Sequence, residues 1–398
     1  MVPAIRSAFN KNFSVNKYEA FLNELHNVHP GAIEFRVAET PIFVPKDFTQ
    51  KIIDACESIV DIILDPKFKE LTKNAIPKHL RVPGDEGLPL FIPFDFGICI
   101  NEQGEYEPQL IEMQGFPSLF AYEILLDNVC RKHFDIPPGY SAYPGGHTRE
   151  SYIKELKEIL LDGHNPENVI LLEIFPEKQK TRIDFYCTED YTGVKAVCLT
   201  KLIKEGKKLF YDNNGKKTEI KRIYNRVIFD DLQQQTQEVQ EKGRIFFEEL
   251  DVEWCPHPNW FYRISKYTLP FIRHPYVPRT FFLNEVTQLP ADLENYVLKP
   301  LFSFAGQGVV IDVTKDDIDK VKDPENWILQ KKVKYADVIQ TPDIPAKAEI
   351  RIFYFWKQGA ARPAPANNLA RLSKGKMIGV RYNKDKEWVG GSYCLFEK

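Results

Sequence analysis

The stretch YVLKPLFSFAGQGVVIDV, residues 296–313, carries the reading of this chain. Residues 296–300 have strand character and deliver Lys299 at the strand's end, where Pro300 stops the ladder because it lacks a backbone N–H. A loop containing Gly306 and Gly308 follows, and GVVIDV at 308–313 leaves as a second strand. Glycines in such a loop let backbone N–H groups close over phosphate oxygens, and the lysine adds a point positive charge. This is not a Walker loop: no G-K-[ST] is present, and the exit is a strand rather than a helix. A β-hairpin with two glycines and a lysine is also an ordinary structural element, so the segment gains meaning only from its neighbours.

Three other segments supply them. In WILQKKVKYADVI, 327–339, an apolar strand runs into Gln330, Lys331, Lys332 and Val333. A purine needs backbone donors and acceptors at a strand end between apolar walls, and this strand offers such an edge; lysines that blunt an edge strand against aggregation are the plainer reading. In LIEMQG, Glu112 and Gln114 stand two apart on a strand and so share a face. A carboxylate and an amide oxygen are hard donors suited to Mg²⁺ that bridges phosphates, and Asp95 in PFDFG, on the preceding strand, would assist them. A polar face turned to solvent is the alternative. AEIRIF places Glu349 and Arg351 on one face in the same way. The arginine suits a phosphoryl clamp while the glutamate holds metal or orients it; a surface salt bridge is the bland version.

Composition narrows the class. The 398 residues exceed one core, so two or three sub-domains are expected. With 53 basic and 56 acidic residues the net charge is −3, which gives no electrostatic reason to bind nucleic acid or an anionic membrane. No stretch approaches the roughly 20 apolar residues of a membrane span, and MVPAIRSAFNKNF has no signal-peptide core, so a cytoplasmic location is expected. Seven scattered cysteines without a C-x-x-C pair argue against a disulfide framework or structural zinc.

Along the chain, residues 47–75 read as helix, break, helix, and 90–100 with 109–116 as paired strands. Residues 149–162 resume helical periodicity. From 168 to about 230 a small α/β unit follows: strand 168–175, helix-like 177–187, strand 195–200, turn 212–217 and strand 220–229. Later strands are expected at 348–356 and 376–382.

These pieces, in this order, resemble the circularly permuted branch of the ATP-grasp superfamily, represented by eukaryotic-type glutathione synthetase and bacterial glutathionylspermidine synthase. In that branch the metal strand precedes the nucleotide-binding lysines, as LIEMQG precedes VLKP here. The resemblance spans roughly residues 90–398 and has stations at Asp95, Glu112 with Gln114, Asn225 with Arg226, Lys266 in FYRISKYTLP, Lys299 with Gly306 and Gly308, Gln330 to Val333, Glu349 with Arg351, Arg371 in LARLSKGK, and Gly390 with Gly391. It departs from the family at Pro93, where an arginine is expected, at Gln114 in place of asparagine, and at Phe302-Ser303-Phe304 in place of an acidic loop residue.

The resemblance implies a circularly permuted ATP-grasp fold of mixed α/β and α+β class. Its parts would be a partly helical region at 1–165 that lends strands 90–116 to the site, a pre-ATP-grasp α/β domain at 166–260, and a nucleotide-binding domain at 261–398. It implies ATP and Mg²⁺, with Lys266, Lys299, Gly306, Gly308, Gln330, Lys331 and Val333 on the nucleotide, Glu112, Gln114, Glu349 and Asp95 around the metal, and Arg351 and Arg371 as catalytic cations. The reaction would join a small-molecule carboxylate to an amine through an acyl phosphate, with Arg371 and Lys374 as anchors for a substrate carboxylate. The departures motivate an alternative, a nucleotide-binding protein with weakened or lost catalysis, and the 13% aromatic content a second one, a carbohydrate- or peptide-binding protein.

Overall fold

The structure, a computed structural model, describes residues 1–302, 308–375, 378 and 383–398. At its centre lies a five-stranded antiparallel sheet drawn from both halves of the chain, in the order Gly390–Ser392, Ala364–Ser373, Lys347–Phe355, Phe91–Ile100, Tyr106–Met113. Strand alternation divides its two faces. Ile92, Phe94, Phe96 and Ile98, with Ile350, Ile352 and Tyr354 from the adjoining strand, enter one apolar cluster. The helix Lys46–Leu64 covers that face with Phe48, Ile52, Cys56, Ile59 and Ile63, buried at helical spacing. Each such side chain contributes roughly 1.5–3 kcal/mol on burial.

The intervening residues Asp95, Glu349 and Arg351 occupy the opposite face, where Phe91, Phe353 and Phe355 join a second cluster with Leu171 and Tyr224. That face is therefore apolar at one end and charged in the middle.

Two more sheets flank it. A parallel sheet runs Glu253–Cys255, Arg222–Asn225, Val169–Glu173, Lys195–Cys198, and its strand VILLE is buried throughout, as a near-continuous apolar run requires. An antiparallel sheet runs Thr280–Phe282, Trp327–Lys331, Tyr296–Pro300, Val310–Ile311.

Most expected elements form, with shifted ends. The break after Lys46–Leu64 falls at Pro66, and Phe68–Leu71 follows. Helix Arg149–Leu161 starts on a reciprocal cap between Thr148 and Ser151. The helix expected at 177–187 forms instead at Arg182–Thr192: Pro176 opens a separate short turn, and Gly193 ends the helix in the left-handed region at φ 80. The strand expected at 220–229 narrows to Arg222–Asn225: Ile220 ends a separate hairpin strand, Lys216–Ile220, and residues from Phe229 turn helical. Helices Pro3–Asn12 and Val15–Val28 and strand Ala364–Ser373 go beyond the sequence expectation. The strand expected at 376–382 lies almost wholly outside the described residues. All seven cysteines are free thiols, and among the described residues no helix is long and apolar enough to cross a membrane.

Candidate functional site

A row of charged side chains crosses four strands of the central sheet. Register sets Glu349 opposite Arg371, Arg351 opposite Asp95, and Asp95 opposite Glu112. Arg351 grips Asp95 through both Nε and Nη2, and its Nη1 donates to Ser118 Oγ at 3.0 Å. Arg371 Nη2 lies 3.0 Å from Glu349 Oε2 and 3.3 Å from Asp95 Oδ2. The Tyr335 hydroxyl donates to Glu349 Oε1. Gly97 makes room for that tyrosine, since a Cβ there would come within 2.7 Å of its ring.

A carboxylate buried as deeply as Asp95 survives ionised only if it is well paired. Burial alone would raise its pKa, but Arg351, backed by Arg371, outweighs burial and holds it below the ordinary aspartate value. Glu349 goes the other way. Burial raises it, Arg371 opposes, and the nearby Asp95 adds to the rise.

The facing wall brings two lysines to the same place. Register slips between Asp95 and Phe96, where the partner strand passes from Glu112 to Leu110. Ile111 is the extra residue of this β-bulge, and its carbonyl, turned out of the ladder, accepts from Lys299 Nζ at 3.3 Å. Lys299 Nζ also donates to Gln330 Oε1 at 2.5 Å. Burial first, reinforced by Lys266 and partly offset by Glu112, pushes the Lys299 ammonium down to about 8. Lys266 is lowered by burial as well, while Glu112 and Asp230 pull it back. Glu112, half-buried at the sheet's edge, thus faces both cations.

Gly115 sets the approach of Lys266. Its N–H donates to the Ile264 carbonyl at 2.7 Å, and a Cβ on it would sit 2.2 Å from the Trp260 carbonyl oxygen. The turn Lys266–Phe271 is thereby held against the end of the Glu112 strand. Gly115→Ala should force these backbones apart and cost about 1–3 kcal/mol, the usual penalty of overpacking, seen as a lower urea midpoint. An unchanged midpoint would mean that the contact is slack.

No family model matches the chain, and no curated protein matches it in sequence. Its fold is similar to that of a glutathione synthetase-like effector from Globodera pallida, solved in its apo form. The match has a TM-score of 0.58 and covers 97% of this chain and 98% of that one, at 12% sequence identity. The likeness is one of fold, and it accords with the mixed α/β and α+β class read from the sequence.

Of the residues singled out in the sequence, Asp95, Glu112, Glu349, Arg351, Arg371, Lys266, Lys299 and Gln330 meet in one cluster between the central sheet and the wall facing it. Others take different places. Both oxygens of Asp95 are engaged by arginines, so it orients cations rather than standing open as a metal donor. The N–H groups of Lys331 and Lys332 donate to the Arg279 and Asn295 carbonyls at 2.8 and 2.7 Å, so this strand is no exposed edge, and only Val333 lies past the paired region. Gln330 contributes its side chain instead. Gly308, at φ 71, packs its backbone on the Pro300 ring, and Gly306 lies outside the described residues, as do Ser303 and Phe304. The buried Lys374 side chain is paired with Asp343, which removes it as a substrate anchor. Gly390 and Gly391 pair with Leu372 and Arg371, and a Cβ on Gly390 would meet the Arg36 carbonyl at 2.4 Å. Asn225 accepts from the Val227 N–H, and Arg226 turns to Asp184.

Pro93 sits in the sheet opposite Phe353, and the charge missing there is supplied to Asp95 by Arg351 and Arg371 from neighbouring strands. Ser118 and Tyr335 escape sequence reading. The single trace of Tyr335 is Gly97, two residues from Asp95 and on the same face.

Proposed function

We propose that this cleft binds MgATP and that the protein is an ATP-dependent carboxylate–amine ligase of permuted ATP-grasp type. The observation that carries this is the meeting of Lys299, from the strand Tyr296–Pro300, and Lys266, from the turn Lys266–Phe271, with Glu112 of the central sheet, one wall supplying cations and the other oxygen donors. The strand order supports the permuted reading, since the early Asp95 and Glu112 strands lie beside the late Glu349 strand. Gln330 supports it too: its Nε2 is buried without a hydrogen-bond partner, next to Lys299, where a purine would supply an acceptor.

The donors present fit the expected ion. Among the described residues no three His, Cys, Asp or Glu side chains form a metal cage. Mg²⁺ needs none, because it is held by one or two carboxylates together with phosphate oxygens. Glu112 would hold it, with the Gln114 amide, whose Nε2 donates to Glu112 Oε1 at 3.2 Å. The ion would neutralise charge on the phosphate oxygens as the phosphoryl group moves.

The chain's own residues do the rest. Lys266 and Lys299 bind the phosphates as point charges. Arg351 has five N–H hydrogens, of which the bonds to Asp95 and Ser118 use three, so a pre-oriented face remains for the transferring group. Arg371 is the more exposed arginine, at 41% against 12%, and meets the ligand first. A substrate carboxylate oxygen attacks the γ-phosphorus, ADP leaves, and an amine then displaces phosphate from the acyl phosphate to give an amide. Hydroxylamine tests this: with the right carboxylate and MgATP it intercepts the acyl phosphate as a hydroxamate, with ADP formed in equal amount. MgATP binding without ADP formation across a broad panel of amino acids, peptides and polyamines would favour the non-catalytic reading, for which the departures at Pro93 and Gln114 speak.

Titration gives a further expectation. Phosphate binding favours the ammonium form of Lys299, so nucleotide affinity should fall as pH rises above about 8, with a proton taken up on binding there and none near neutrality. Calorimetry in two buffers of different ionisation enthalpy reads that proton. No uptake at any pH would separate Lys299 from the ligand.

A further inference from the structure

We propose that Asp184, Arg226 and Ser118 form a relay that positions Arg351, tying the C-terminal end of an inner strand of the parallel sheet to the phosphoryl end of the cleft. The inference rests on the nucleotide reading above. Arg226 follows the strand Arg222–Asn225 and is buried. Its Nη1 donates to Asp184 Oδ2 at 3.1 Å and to the Ser118 carbonyl at 2.7 Å. Asp184 is wholly buried on helix Arg182–Thr192, and its other oxygen accepts from the N–H groups of Ala121 and Tyr122 at 2.8 and 3.0 Å. These amides open the helix Tyr122–His133, whose first N–H groups have no partner within the helix. One carboxylate therefore holds the guanidinium with one oxygen and the start of the next helix with the other.

Ser118 lies between these anchors and the cleft. Its carbonyl is held by Arg226, and its hydroxyl accepts from Arg351 Nη1 at 3.0 Å. A long arginine side chain gives up its rotamer freedom when it is held, a cost that a ligand would otherwise have to overcome. Arg351 is pinned from both ends, by Ser118 at Nη1 and by Asp95 at Nε and Nη2. A buried ion pair such as Arg226 with Asp184 adds little net stability over apolar packing, but it fixes geometry. Here the fixed geometry is that of the Ser118 segment.

Ser118→Ala removes the hydroxyl and leaves the carbonyl that Arg226 holds. Binding of MgADP and of a non-hydrolysable MgATP analogue is measured by calorimetry for both proteins, because their ratio reads the grip on the γ-phosphate alone. We expect MgADP affinity to stay within about twofold and the preference for the triphosphate to fall roughly five- to tenfold, the scale of one ordinary intramolecular hydrogen bond. Ser118→Thr, which keeps a hydroxyl, should restore the ratio. Asp184→Asn keeps an oxygen for the helix amides and removes the charge facing Arg226, and should give the same selective loss. A Ser118→Ala protein that binds both nucleotides as the parent does, or loses both equally, overturns the relay. A parent protein that binds neither nucleotide overturns the nucleotide reading itself.

Discussion

Lys299→Ala should weaken MgATP binding by at least about a hundredfold and leave the fold as stable as the parent, or slightly more so. The stability half follows from the depressed pKa. Between about pH 8 and the ordinary lysine value the unfolded chain binds a proton that the folded chain does not, so parent stability rises with pH through that window. Below it the fold carries an ammonium that it holds less well than water does, and removing the side chain removes that penalty. The affinity half follows from geometry. On the proposed nucleotide reading, the Nζ that now rests on the Ile111 carbonyl and Gln330 Oε1 is the cation that would meet phosphate beside Glu112. Calorimetry reads the first effect and thermal unfolding the second. A change in affinity below about threefold would take Lys299 out of the site, and a large fall in the unfolding midpoint would make it a structural lysine.

Asp95→Asn should be the most destabilising conservative change in the cleft, by roughly 3–5 kcal/mol. The amide is nearly isosteric, so packing is kept, but Arg351 and Arg371 lose the buried carboxylate that both contact. Glu349 and Glu112 remain nearby, yet Arg351 lies 3.9 Å from Glu112 and makes its two-point grip on Asp95 alone. A urea titration followed by fluorescence should show the midpoint moving down sharply. A loss under about 1 kcal/mol would mean that solvent screens these charges as it does at a surface.

The contrast between these residues and those that went unread shows what a sequence exposes. Lys299 was legible because a proline ends its strand, and Glu112 because strand alternation is local. Arg351 shares that advantage with Glu349. The bulge at Ile111 was not legible: an extra residue in a ladder appears only once the partner strand is known. The pairing beside Gln330 is not legible either: the short strand Thr280–Phe282 adds along Ile328–Gln330 and covers that edge. Ser118 acts through Arg351, 233 residues along the chain, and Tyr335 through Glu349 on the strand that follows it, and no short motif encodes either meeting. Arg226 is legible as a residue, but its direction, toward Asp184 rather than the cleft carboxylates, depends on how helix Arg182–Thr192 packs. At the level of fold, the buried run Val169–Glu173 is plain, while the opening helices Pro3–Asn12 and Val15–Val28 lie outside the segments that carry the resemblance, although Ser14 caps the second by accepting from the Lys17 N–H.

The most direct test is a crystal structure of the protein with Mg²⁺ and a non-hydrolysable ATP analogue. The triphosphate should lie between Lys299 Nζ and Glu112, with Lys266 on the phosphates, the ion on the Glu112 carboxylate and the base beside Gln330. A nucleotide bound elsewhere, or a cleft that stays without one at saturating concentration, would contradict the account.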